Sequence, residues 1–175
     1  MAERILIIGS PGSGKSTLAH ALAEREGLPL YHLDQLYWSQ GWQEVDNATW
    51  LARLDKALAG PRWIIEGNYS STLERRLARA DKVVLLDLPP FRCTWRVLRR
   101  IWEYRGKVRP DMAEGCPERF DLAFLWYTLS FRLRALPGVL DKLEKFDGEV
   151  AWLGTPREVA AFLASEKRFD EDDHG

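Results

Sequence analysis

The segment Ile5–Leu18, ILIIGSPGSGKSTL, restricts the fold more than any other part of the chain. Ile5, Leu6, Ile7 and Ile8 form a short apolar, mostly β-branched run, the pattern of a parallel strand buried on both faces. Gly9 to Ser16 then fits the phosphate-loop pattern G-x-x-x-x-G-K-[ST]. Thr17 to Glu26 has helical character, and Gly27 is placed to cap its end. Strand, glycine loop, Lys-Ser and helix in this order make a site for a polyphosphate. Backbone N–H groups can wrap clustered negative charge only where no Cβ intervenes, which assigns Gly9, Gly12 and Gly14 their places, with Pro11, Ser13 and Thr17 in the same cradle. The helix N-terminus adds partial positive charge. Lys15 is the residue expected to reach the β- and γ-phosphates, and the Ser16 hydroxyl is the expected Mg²⁺ ligand.

The remaining chain alternates short apolar runs with helical patterns, which predicts an α/β fold with a parallel sheet. Strands are expected at Leu28–Asp34, Trp63–Ile65, Val83–Leu88 and Val150–Leu153. Helices are expected from Asp46 (a cap) to Ala59, over Ser71–Ala80, Arg92–Arg105, Pro117–Leu136, Val139–Phe146 and Arg157–Ser165. Gln35–Val45 is expected to be loop or short helical turns, Gly106–Pro117 an exposed loop, and Pro137-Gly138 a break. In open parallel sheets the ligand lies beyond the carboxyl ends of the strands. The phosphate loop, Asp34, Glu66 and the Gly154-Thr155-Pro156 turn all fall at such ends. One domain spanning 1–165 is expected, with an insertion at about 92–134 and a polar tail over 166–175.

Composition excludes several classes. The net charge of −1 gives no whole-molecule attraction to nucleic acid or acidic membranes. Cys93 and Cys116 are too few for a disulfide framework or a four-cysteine zinc site, and read as free thiols. Neither a signal pattern nor a bilayer-length apolar run occurs, so a cytoplasmic protein is expected. Trp63 and Trp152 fall in predicted strands and are expected to pack in the core. Trp38, Trp42 and Trp50 are either a pocket wall or a satellite core. His20 and His32 have no partner pattern, and His174 lies in the polar tail; a structural or solvated role is expected of each.

The strings GSPGSGKST, YHLDQLYW, WIIEGNY, VVLLDLP and RPDMAEGCPERF together resemble the adenylate-kinase-like P-loop kinases, and more closely the DNA topology modulation kinase group. The resemblance covers nearly all of the chain to about Ser165. It implies a P-loop NTPase fold: a five-stranded parallel sheet with helices on both faces, and a mobile lid. It also implies ATP and Mg²⁺ as cofactors. Glu66-Gly67 stands where adenylate kinases have an Asp-Gly, which implies a carboxylate near the metal. Arg96 and Arg100 are similar in spacing to two lid arginines, one packing on the base and one gripping phosphate, and Gly154-Thr155-Pro156 matches the loop that meets adenine. Ser70 stands where adenylate kinases have an arginine that holds the monophosphate, and their threonine-glycine string is not evident. Asp34 instead resembles the aspartate of shikimate and gluconate kinases that contacts the accepting hydroxyl.

On this reading Lys15, Asp34, Arg100 and Arg109 are the catalytic candidates. Arg96 and the 154–156 turn join the nucleotide site, and Ser16 and Glu66 the metal site. Arg109 and Arg119 are expected to enter the site on closure. Asp87, beside Pro89-Pro90, is left to a structural turn. The expected acceptor is a nucleotide or small hydroxylated metabolite. The alternative is a nucleotide-dependent regulator that acts on DNA, a reading suggested by the arginine-rich 92–109 segment. A monomer or homodimer, without membrane contact, is expected. The absence of an Asn-Lys-x-Asp string argues against a guanine-specific switch.

Overall fold

A computed structural model describes residues 3–165. Five parallel strands, β1 (Arg4–Gly9), β2 (Leu30–His32), β5 (Trp63–Glu66), β6 (Lys82–Leu86) and β7 (Glu149–Leu153), form one sheet in the order β2-β5-β1-β6-β7. The two-residue alternation of side chains divides the apolar runs between two cores. Leu6, Ile8, Ile65, Val83 and Leu85 face one side. There they pack on α3 (Asn47–Leu58), α4 (Leu73–Leu77), α6 (Leu122–Arg134) and α7 (Leu136–Leu143). Ile5, Ile7, Ile64, Val84 and Leu86 face the other side, against α1 (Lys15–Glu26) and α8 (Pro156–Ser165). Each aliphatic chain so buried contributes roughly 1.5–3 kcal/mol, so the three central strands are the most firmly held part of the molecule.

The segments between the strands depart from expectation in instructive ways. β2 ends at His32, and Asp34 lies in the first turn of a short helix, α2 (Leu33–Tyr37), not at the tip of a strand. A two-stranded hairpin, β3 (Trp38–Ser39) with β4 (Gln43–Glu44), turns at Gly41. Asp46 caps α3 as its sequence predicts, accepting from Thr49 N at 2.9 Å. A 3₁₀ turn at Ser70–Thr72 precedes α4. α5 spans Pro90–Glu103, with Pro90 in the first turn, where the lost N–H costs nothing. α6 starts at Leu122, not Pro117, because Asp121 supplies the cap: its Oδ1 accepts from Ala123 N and Phe124 N at 2.9 and 3.1 Å. Pro137-Gly138 does not break the chain but sits in the first turn of α7.

Two expectations about burial fail. Trp63 is fully buried, but Trp152 is 51% exposed, because β7 is the sheet edge and only its last residue is buried. The 106–117 loop is not simply exposed: Met112, Ala113 and Cys116 are buried against Trp38 and Trp42. Trp50 belongs to the main core. Trp38 and Trp42 turn out to be both satellite core and cavity wall. Cys93 and Cys116 are free and buried. Among the described residues no helix is long and apolar enough to cross a membrane. His174 and the polar tail lie outside the described residues.

Candidate active site

The loop after β1 is fixed by close backbone approach. Gly9 has φ +142°, and a Cβ there would stand 2.2 Å from the Leu86 carbonyl oxygen. Gly12 has φ +74°, and its Cβ would meet the Cys93 carbonyl oxygen at 2.4 Å. These glycines let the loop pack closely between β6 and α5. Gly9 N donates to Asn68 Oδ1 at 3.1 Å, tying the loop to the turn after β5. That turn is held from below by Arg76, wholly buried, which donates to the carbonyls of Gly67 at 3.2 Å, Tyr69 at 2.9 Å and Asn68. Burial lowers the Arg76 pKa to about 9.

Lys15 Nζ is buried and donates to Ser10 O at 3.0 Å. Burial pulls its pKa below the usual ammonium value, against the carboxylates of Glu66 and Asp34. The Ser16 hydroxyl donates to Asp111 Oδ2 at 2.9 Å and is 3.4 Å from Glu66 Oε2. Glu66, the last residue of β5, is held by His32 Nδ1 at 2.9 Å. His32 therefore sits beside the site as a positioning group for Glu66.

Across from the loop, Tyr69 Oη donates to Asp34 Oδ1 at 2.7 Å. Desolvation raises the Asp34 pKa, the Tyr69 hydrogen bond lowers it, and the nearby Glu66 charge raises it; the net shift is upward. The roof is a set of ion pairs. Arg109 Nε stands 2.6 Å from Glu118 Oε2, and its Nη1 2.9 Å from Asp111 Oδ2. Arg100 Nη2 stands 3.2 Å from Glu118 Oε1. Burial lowers the Arg100 pKa, as does the charge of Arg109, partly offset by Glu118 and Asp111. Arg96 Nη1 donates to Ser13 O at 3.2 Å.

These groups border one cavity of about 990 Å³, large enough for a nucleotide with a second small molecule. It gathers Pro11 through Thr17, Asp34, Glu66, Arg96, Arg100, Arg109, Arg119 and Pro156. Gly154 and Thr155 do not border it: their N–H groups donate to Glu158 Oε2 at 2.6 and 3.1 Å, in a capping box at the start of α8. Arg119 stacks its guanidinium over Trp42, 4.7 Å from the ring centroid. Asp87 is paired bidentately with Arg132 at 2.9 and 3.0 Å, away from the cavity.

Asp111, Glu118 and Tyr69 are the residues that sequence reasoning did not single out. Asp111 follows Arg109-Pro110, and its nearness to Ser16 is a contact across 95 residues. Its partner Arg109 was the one available signal.

The P-loop cradle fits a nucleoside triphosphate on this structure's own terms. A Cβ would fill the space at Gly9 and Gly12, Lys15 is a buried cation, and the buried Ser13 hydroxyl is without a hydrogen-bond partner among the described groups. Among the described residues no three His, Cys, Asp or Glu side chains gather to cage a metal.

No family model matches the chain, and no curated protein matches it. Solved structures do. It is similar to a shikimate kinase from Bacteroides thetaiotaomicron, at 18% identity, TM-score 0.57, covering 98% of this chain and 99% of that one. A chain from Chloroflexus aurantiacus provisionally named a kinase aligns at 17% identity, TM-score 0.54, over 96% and 98%. A gluconokinase from Sinorhizobium meliloti aligns at 20% identity, TM-score 0.50, over 99% and 98%. At these identities the likeness is one of fold. The five-stranded parallel sheet with helices on both faces is the fold of P-loop kinases.

Proposed function

We propose that this protein is an ATP- and Mg²⁺-dependent kinase that moves the γ-phosphoryl group to a small hydroxylated acceptor. The observation that carries the reading is the opposition, across one cavity, of a glycine cradle with a buried lysine and the Asp34 carboxylate that Tyr69 holds. Phosphoryl transfer asks mainly for positioning and for neutralised charge. Lys15 supplies a buried cation whose Nζ exchanges its carbonyl partner, Ser10 O, for a phosphate oxygen. Arg96, Arg100 and Arg109 line the roof, and the planar guanidinium binds phosphate oxygens bidentately. Ser16 and the carboxylate of Glu66 are the residues that would hold Mg²⁺ with the triphosphate, and the ion would supply further charge neutralisation. Asp34 accepts the proton of the attacking hydroxyl, with Tyr69 fixing the orientation of its carboxylate. Arg109, Asp111 and Glu118 belong to a lid within about 92–134 that excludes water when closed.

The neighbours named for shikimate and gluconate kinase activity support a polyol or hydroxy-acid acceptor over a nucleoside monophosphate. Ser70 in place of a monophosphate-binding arginine points the same way. Membership of the DNA topology modulation group rests on the shared strings alone. A direct DNA-binding role gains little from the arginines of 92–109, since Arg100 and Arg109 are engaged with Glu118 and Arg99 with Glu103.

The test is ADP formation with Mg²⁺-ATP across sugar acids, polyols, hydroxy acids, nucleosides and nucleoside monophosphates, with Lys15→Ala as the control. Stimulation by one acceptor class, lost by about 10²–10³-fold in the control, is the expected result. ATP binding without stimulation by any acceptor would turn the search toward DNA and protein partners.

A further inference from the structure

The outer surface of α5 and α6 is not explained by the cavity. On α5, Phe91, Trp95, Leu98 and Trp102 are 80%, 68%, 38% and 80% exposed. On α6, Leu122, Trp126 and Leu133 are 72%, 58% and 83% exposed, with Leu129 part-buried between them. Both sets follow the same spacing, i, i+4, i+7, i+11, which is the seam of a helix that packs against another helix. Both lie opposite the inward faces of their helices, marked by Cys93 and Val97 on α5 and by Thr128 and Phe131 on α6. α5 and α6 pack side by side, and each turns its seam away from its own buried face.

A water-facing seam of this kind is costly. With roughly 150–250 Å² per aromatic side chain, the exposed fractions of Phe91, Trp95, Trp102 and Trp126 alone amount to about 430–720 Å², and Leu98, Leu122 and Leu133 add to it. Typical monomers carry their largest apolar patch at about 300–600 Å². A standard protein–protein interface buries about 800 Å² per partner.

We propose that this face is a homodimer interface, in which α5 and α6 of two copies pair as a four-helix bundle. Area and pattern both select a second copy. The patch is of the size one partner contributes to a stable interface, and a two-fold axis sets each seam against a surface of like spacing, so knobs meet holes without a foreign sequence. Arg99 pairs with Glu103 at 2.6 Å on the flank of α5, and this pair stays outside the seam. The opposite face of α5 carries Arg96 and Arg100 into the cavity, so the dimer would brace the helix that holds the roof.

Sedimentation and light scattering of the full chain at micromolar concentration test this. The expected mass is twice the 20.2 kDa of one chain. Trp95→Glu with Trp126→Glu should halve it, while circular dichroism and ATP binding stay as in the parent, since neither residue borders the cavity. Trp102→Arg with Leu133→Arg is the second pair and should act alike. A wild-type monomer overturns the proposal. So does a dimer that survives both double variants, which would place the interface elsewhere. A monomer that floats with vesicles of anionic phospholipid would assign the face to a lipid surface instead. These readouts do not require phosphotransfer, so the dimer can fail while the kinase reading stands, and the reverse.

Discussion

The cavity has two walls built on opposite principles. The phosphate loop is set by neighbours in sequence: within eight residues, positive-φ glycines and close approach leave one backbone path. The far wall and roof are set by pairs distant in sequence. Ser16 meets Asp111 across 95 residues, Tyr69 meets Asp34 across 35, and Arg100 meets Glu118 across 18. The difference teaches where specificity resides. A cradle for polyphosphate needs only backbone N–H groups and one lysine, so a local code suffices. A wall that chooses an acceptor needs side chains converging from several elements, and no local code specifies that.

The sharpest way to break this contrast is at Gly12. Alanine there would need φ +74° and would meet the Cys93 carbonyl oxygen at 2.4 Å. The loop must then move off α5, and its N–H groups lose their common focus. We expect ATP affinity, read by calorimetry, to fall by about 100-fold or more, in line with misplacement of binding groups by about 1 Å. The 112–116 cluster packs on Trp38 and Trp42 and not on the loop, so it should keep its protection in hydrogen exchange. An unchanged affinity would mean that the loop is not selected by local sterics.

The second wall is tested at Glu118, which is buried and serves both Arg100 and Arg109. Glu118→Gln leaves two arginines without their shared anion. Breaking a buried pair costs about 3–5 kcal/mol; because Arg109 keeps Asp111 and Arg100 is a quarter exposed, we expect the lower end, about 3 kcal/mol. For a chain of this size that is a fall of roughly 6–12 °C in Tm. Bound ATP should recover part of it, since phosphate oxygens replace the lost carboxylate. A Tm within 2 °C of the parent, taken as about the error of such an estimate, would show that the roof is held by its apolar cluster alone.

The same division explains what could be read before the structure. Strands, helices and the cradle were legible because β1, β5 and β6 carry unbroken apolar runs and the loop has a fixed spacing. Asp34, Glu66, Arg96, Arg100 and Arg109 were singled out because they follow apolar runs or fall in one arginine-rich segment, and the structure sets all five at the border of the cavity. Asp111 and Glu118 were missed because nothing near them in sequence reveals their partners. Trp152 was misplaced because its strand looks like the others, and only sheet order shows that it is an edge. Gly154-Thr155 was assigned to the nucleotide although Glu158 takes its N–H groups, a contact announced by Thr155 and Glu158 three residues apart.

The smallest expected change in stability, and the one with the clearest sign, is at Asp34. Its pKa in the folded protein lies above the ordinary 3.8, with burial the main cause. A raised carboxyl pKa means that the folded state prefers the protonated form. The stabilisation from that preference is complete below 3.8 and is lost as pH rises through the folded pKa. Ionising Asp34 is therefore harder in the folded state than in the unfolded chain, which costs the wild type stability as pH rises above the ordinary carboxyl range, and Asp34→Asn, which can still accept from Tyr69, removes that cost. The variant should melt above the parent at pH 7, and the gap should close as the pH falls below the ordinary carboxyl value of about 4. Phosphotransfer should move the other way, falling by about 10²–10⁴-fold if Asp34 takes the hydroxyl proton. Stability gained where activity is lost is the mark of a residue kept for chemistry. A variant that melts below the parent at neutral pH would make Asp34 a structural partner of Tyr69, and would move the search for the proton acceptor to Glu66 or Asp111, the other cavity carboxylates closest to Ser16.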